Sequence, residues 1–268
     1  MKIYIPQLNT EKYIDAWLYS RLMLIKKGVH TDNRDAVFLS VGHEGEGKSC
    51  YTAQIAAVMN NEFCLKHVYW DADKLIETVN SKHIPVGTAL MLDEADLVMS
   101  NQTMQRELQK KLILLLKTCR SKNLILFFVG PSWFDFNRYI AKHRPNYLFM
   151  IDSKKNQRGF WYSWPRKVLP VFWKKAYPSQ DMRAMRPLRY GRFTHWWPFD
   201  EAEYERKKKA ELRRLFGGEV TEDDHKLMVK KSLSFYDNNG LLVRGAKKKL
   251  TEILKVSKRT ISTWVANI

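Results

Sequence analysis

The chain lacks any paired cysteine. Its three, Cys50, Cys64 and Cys119, are odd in number, scattered, and in no C-x-x-C pair. That excludes a disulfide framework and a thiolate zinc site, and it fits a reducing compartment. Long apolar runs are missing too. The longest, LILFFV at 124–129, is far short of the roughly 20 residues a membrane span needs. Residues 1–13, MKIYIPQLNTEKY, hold no apolar core of a secretion signal. Acidic residues are scarce beside basic ones: 28 Asp+Glu face 46 Lys+Arg in 268 residues, a net charge of +18. No internal repeat is visible. What remains is 45% hydrophobic and 28% charged, a globular composition on a chain long enough to bury its own core. The expectation is a soluble, cytoplasmic, strongly basic protein. Its charge is either a solvated surface or the footprint of a polyanion partner.

The position of the charge separates those readings. Residues 1–153 hold 19 basic and 16 acidic residues, net +3. Residues 154–200 hold 11 and 2, net +9, and residues 201–268 hold 16 and 10, net +6. The middle stretch also carries 12 aromatics, among them Trp161, Trp164, Trp173, Trp196 and Trp197, and five prolines. Cations interleaved with aromatics suit phosphate neutralisation and base stacking. The alternative is a strap packed over the first domain with its lysines outside.

Residues 1–153 alternate between strand and helix patterns. Strands are expected at 36–41 (AVFLSV), 67–70 (HVYW), 88–92 (TALML), 124–129 (LILFFV) and 147–151 (YLFMI). Helical stretches lie between them, and an amphipathic helix is expected at 11–27. An added edge strand is plausible at 159–164 (GFWYSW). The pattern predicts an α/β fold with a mostly parallel, five-stranded sheet covered on both faces.

The first strand runs into GHEGEGKS at 42–49, followed by a helical pattern. Gly42, Gly47, Lys48 and Ser49 satisfy G-x-x-x-x-G-K-[ST], with Gly45 inside the loop and Cys50 next on the helix. Glycines let the backbone wrap a phosphate, and successive N–H groups at a helix N-terminus make an anion site. Lys48 then reaches the outer phosphates of ATP, and Ser49 ligates Mg²⁺. Glu44 and Glu46 are unusual in such a loop, and their carboxylates have to turn away from the phosphates. The stretch LMLDEAD at 90–96 delivers two acids at a strand's carboxyl end, where open α/β sheets bind ligands. Asp93 suits Mg²⁺ held through water, and Glu94 suits the general base that polarises an attacking water.

This order of elements resembles the additional-strand, catalytic-glutamate class of P-loop ATPases, which includes RecA-like and AAA+ proteins. Within it, KTCRSKNLILFFVGPSWFD at 117–135 is similar to FtsK–HerA-type DNA translocases and phage packaging ATPases. The resemblance spans about residues 36–152. It implies a RecA-like core, ATP and Mg²⁺ as cofactors, and homo-oligomers such as rings. It also implies a polar sensor after the fourth strand. That strand here ends Val129-Gly130-Pro131-Ser132 where the family often has Gln, and Ser132 is the nearest stand-in. In such rings an arginine enters the neighbour's site, and Arg144, Arg120 and Arg138 are the candidates. The zonular-occludens branch usually adds a membrane span, which this sequence lacks.

The sequence divides into an ATPase domain (1–165), a basic aromatic strap (166–200), a charged connector helix (201–220) and a small all-α domain (221–268). In the last of these, LTEILKVSKRTISTWV at 250–265 looks like a resolvase- or regulator-type helix-turn-helix. Ser257 is a good N-cap for its second helix. Lys258, Arg259, Thr260, Ser262 and Thr263 then line that helix's outer face, beside the basic run Lys247, Lys248 and Lys249. These residues suit duplex DNA; a helical cap for protein contacts is the alternative. Two functions are consistent with this organisation: a DNA motor of viral or mobile-element type, or an ATP-dependent switch or loader at a specific DNA site.

Overall fold

The computed structural model describes residues 1–81, 84–93, 102–154 and 157–215. Glu94 lies outside the described residues. So do the expected helix-turn-helix and the DNA-contact candidates Lys247, Lys248, Lys249, Ser257, Lys258, Arg259, Thr260, Ser262 and Thr263. The chain divides into two compact units, Met1–Lys208 and Lys209–Ile268. All the described strands and the glycine loop lie in the first unit.

Strand β1 (Lys2–Ile5) pairs antiparallel with β2 (Thr10–Tyr13) through a turn in which Asn9 is left-handed. Helix α1 begins only at Ala16 and runs to Thr31. The expected helix at 11–27 therefore starts too early. Its first residues are recruited by the hairpin, and Asp15 accepts a hydrogen bond from Leu18 N at 3.0 Å as the true N-cap. Next come β3 (Ala36–Val41), α2 (Lys48–Met59), β4 (Val68–Tyr69), α3 (Ala72–Asn80), β5 (Ala89–Leu92), α4 (Gln102–Ser121) and β6 (Ile125–Gly130). The helical stretch expected at 133–142 splits into a 3-10 turn at Trp133–Asp135 and α5 (Arg138–His143). Asn137 restarts the helix by accepting from Tyr139 N at 2.9 Å. Strands β7 (Tyr147–Lys154) and β8 (Gln157–Pro165), helix α6 (Leu169–Ala176), β9 (Arg189–Arg192) and α7 (Glu201–Leu215) complete the described part.

The sheet order is β4-β5-β6-β3-β7-β8-β9. The first five strands are parallel, and β8 and β9 extend the sheet antiparallel. Seven strands thus replace the expected five. The stretch at 159–164 is an interior strand, because β9 covers its outer side.

Alternation along each central strand builds two cores. Ala36, Phe38, Phe127 and Phe149 face α1 and α2; Val37, Leu39, Leu126 and Leu148 face the α3–α6 side. Helix α2 is buried from Cys50 to Met59, as a helix enclosed on all sides must be. Trp161 and Trp196 fill the first core, and Trp164 and Trp173 the second. Four of the five tryptophans in the basic aromatic stretch are therefore packing residues. Composition alone had left both readings open.

Candidate functional site

Parallel strands bring their carboxyl ends to one edge, and three of them carry the candidate site there. Residues 42–50 follow β3, Asp93 follows β5, and Val129–Pro131 close β6. In sheet order, β6 stands between the strand of the loop and the strand of Asp93.

The loop is shaped by its glycines at two points that matter. Gly47 caps α2 in the left-handed region at φ 88°, where a side chain is disfavoured. A Cβ on Gly42 would lie 2.1 Å from the Ile151 carbonyl oxygen, so only glycine lets the loop pass that close to β7. Lys48 Nζ donates to the carbonyls of Gly42 at 2.8 Å and His43 at 2.9 Å, tucking across the mouth of the loop. Ser49 Oγ donates to Asp93 Oδ1 at 2.9 Å. Asp93 is fully buried. A serine hydroxyl and a carboxylate in contact at a helix N-terminus are a hard oxygen donor set, which fits Mg²⁺.

Of the two carboxylates within the loop, Glu46 turns toward β7, where Ser153 Oγ donates to its Oε1 at 3.3 Å. Glu44 is exposed. Cys50 is buried, and its Sγ donates to Trp196 O at 3.3 Å. Burial pushes its thiol up to about 11. It sits on the helix following the loop as a packed thiol, with only its backbone N–H suited to an anion.

The loop opens into a cavity of about 690 Å³, within the range of roughly 300–1,000 Å³ of small-molecule sites. Much of its wall comes from residues that no motif singled out. Arg158 on β8 comes within 3.8 Å of a Cβ position on Gly45. Phe193 Cζ lies 3.4 Å from one on Gly47 and packs on Tyr51. Gln54 Nε2 on α2 donates to the carbonyls of Thr194 at 2.8 Å and Trp196 at 2.9 Å. These bonds pin the strap across the helix that follows the loop. On the far wall Tyr204 OH donates to Asp93 Oδ2, and Lys208 Nζ stands 3.8 Å from the same oxygen. Tyr204 packs among Trp70, Trp197 and Phe199. Burial first, and the Asp93 charge next, raise its phenol well above the ordinary value. It is therefore a fixed hydrogen-bond donor to Asp93.

Two sequence candidates are engaged elsewhere. Ser132 Oγ accepts from Phe134 N at 3.2 Å and caps the 3-10 turn. The cavity wall at this strand end is formed instead by Val129, Gly130 and Pro131. Arg144 lies near the opposite edge of the sheet, just before β7. Its guanidinium pairs with Asp35 and donates to Leu116 O at 3.1 Å. The two side chains are 15% and 10% exposed. Arg144→Met should therefore lower unfolding free energy by about 3–5 kcal/mol, the usual cost of stranding a buried partner charge. Denaturant unfolding of the purified chain measures it. Arg120 and Arg138, by contrast, are exposed.

A parallel sheet carrying this loop, its lysine and serine, and an aspartate two strands away is the arrangement expected of a P-loop NTPase. No protein-family model and no curated protein matches the chain. Among solved structures it is similar to the N-terminal domain of zonular occludens toxin from Neisseria meningitidis. The two are 16% identical, over 64% of this chain and 98% of that one, at TM-score 0.40. It is also similar to the replication initiator DnaA bound to AMPPCP and single-stranded DNA: 12% identical, over 91% and 82%, at TM-score 0.34. AMPPCP-bound DnaA from Aquifex aeolicus gives 11%, 96% and 86%, at TM-score 0.32. Among the described residues, no helix is long and apolar enough to cross a membrane.

Proposed function

We propose that the protein is an ATP-hydrolysing, DNA-acting P-loop ATPase of the additional-strand, catalytic-glutamate class, analogous in function to FtsK–HerA-type translocases and phage packaging ATPases. The observation that carries the nucleotide site is the Ser49–Asp93 contact at the mouth of the glycine loop. It joins a phosphate-binding helix terminus to a metal-binding carboxylate from a strand 44 residues on.

On this reading the backbone N–H groups of residues 45–50 cradle the phosphates. Lys48 would leave the loop carbonyls for the outer phosphates, and Ser49 and Asp93 would hold Mg²⁺, whose charge would offset that developing on the phosphoryl oxygens. Glu94 polarises the attacking water. In a ring of copies, Arg120 or Arg138 is better placed than Arg144 to reach a neighbour, because both are exposed and Arg144 is committed to Asp35. The near-neutral first 153 residues contrast with the basic remainder, which supports duplex DNA as partner of the C-terminal module.

The test is ATPase activity of the full chain against duplex length, with and without residues 241–268. A motor predicts hydrolysis that rises with DNA length whatever the sequence. Response to one short site with slow turnover would instead identify a switch, and no response to DNA would remove the DNA-acting reading.

A further inference from the structure

The α7 contacts of Asp93 go beyond what the loop motif requires. Both oxygens of this fully buried carboxylate are engaged. Oδ1 accepts from Ser49, and Oδ2 faces Tyr204 OH and, at 3.8 Å, the Lys208 ammonium. A carboxylate taken out of water needs a compensating charge. Lys208 brings one to Oδ2, while the Lys48 ammonium donates to the carbonyls of Gly42 and His43. The Lys208 side chain is only 20% exposed, so its charge is poorly screened by water. It comes from α7, far along the chain from Asp93, and belongs to the same compact unit.

We propose that Lys208 is a built-in competitor of the divalent cation: it compensates Asp93 in the nucleotide-free chain and is displaced from that carboxylate when Mg²⁺ enters with ATP. Tyr204 is the positioning residue that keeps Asp93 oriented through the exchange. The inference rests on the nucleotide-site reading above. Its physical basis is repulsion. An ammonium and a divalent cation cannot both sit at one buried carboxylate without a large Coulomb penalty, so each weakens the other's hold. Metal entry then breaks a contact made by α7, and nucleotide occupancy becomes linked to the position of the Lys208 side chain.

The experiment uses the full chain and a fluorescent non-hydrolysable ATP analogue, with binding followed at increasing free Mg²⁺. Lys208→Met removes the competing charge and keeps most of the side-chain volume. Its half-saturating Mg²⁺ concentration should fall about tenfold or more, by the size of a single close charge interaction. Lys208→Arg should stay within about threefold of the wild type by the same reasoning. A second readout guards against a folding defect. The rise in Tm produced by Mg²⁺ with the analogue should be larger for Lys208→Met than for the wild type, because the nucleotide-free variant has lost its compensating charge.

An unchanged Mg²⁺ requirement would overturn the competitor role. A raised requirement, or weaker analogue binding at saturating Mg²⁺, would overturn it too and make Lys208 a phosphate ligand. If the wild-type chain bound no analogue at any Mg²⁺ concentration, the nucleotide-site reading would fail, and this inference with it.

Discussion

Lys48→Ala should abolish ATP hydrolysis while leaving the fold intact. In the nucleotide-free chain the Lys48 ammonium donates to two loop carbonyls, one contact part-buried and the other exposed. Water can replace it there, so stability should change by no more than about 1 kcal/mol. Toward bound ATP the same ammonium is a charge-assisted donor to phosphate, worth about 1.5–3 kcal/mol in the ground state. That corresponds to roughly 10- to 150-fold in affinity. It gains further in the transition state as charge grows on the transferred group, where a single electrostatic donor contributes about 10²–10³ in turnover. A thermal melt beside a steady-state assay separates the two effects: an unchanged Tm with hydrolysis at background. Hydrolysis at wild-type rate in this variant would place the active site elsewhere.

Asp93→Asn should be nearly as damaging to activity, and Asp93→Ala should damage the fold as well. The asparagine keeps one acceptor oxygen for one of the two hydroxyls of Ser49 and Tyr204, its amide donating to the other, but it gives up the charge that holds the metal. Hydrolysis should then fall by about 10²–10³ at ordinary Mg²⁺ concentrations. The alanine leaves the buried Tyr204 hydroxyl without its acceptor and Lys208 without its Asp93 counter-ion. Such an orphaned buried group costs about 1–3 kcal/mol, so the alanine variant should melt lower than the asparagine one. Tyr204 is buried and Asp93 fully so, which keeps water from repairing the loss. Equal melting of the two variants would mean that the contact contributes nothing to the fold.

The local part of this architecture was legible in the sequence. AVFLSV followed by GHEGEGKS, and TALML followed by Asp93, reveal a strand, a loop and an acid because each signal is local, confined to about one element and its flanking turn. The two-sided parallel sheet follows from apolar strands alternating with helices. The strap was harder to place. Trp161 and Trp196 look the same in the sequence whether they stack on bases or fill a core. Only the antiparallel extension by β8 and β9 decides it, through pairings such as Trp161 with Gly191. The N-terminal hairpin was hidden for a similar reason. Residues 11–13 read as the start of a helix until β1 pairs with them.

The rest of the site was out of reach for one physical reason. Arg158, Phe193, Tyr204 and Lys208 carry no motif. They meet the loop because two added strands and a strap pinned by Gln54 return the chain over α2. A signal did exist: the tyrosine and lysine of α7 stand at i and i+4, one helical face. Without the fold nothing says what that face meets. Arg144 shows the opposite case. Its position just before a strand suggested a residue offered to a neighbour, and the structure gives it to Asp35 instead.

At the centre of the proposed function is one ATP bound with Mg²⁺ at the loop of residues 42–50. Isothermal titration of ATP into the full chain tests it most directly, run with the wild type and Lys48→Ala, each with and without Mg²⁺. The expected result is one site per chain in the wild type, tighter with Mg²⁺ and lost or severely weakened in Lys48→Ala. No binding by the wild type, or equal binding by the two chains, would contradict it.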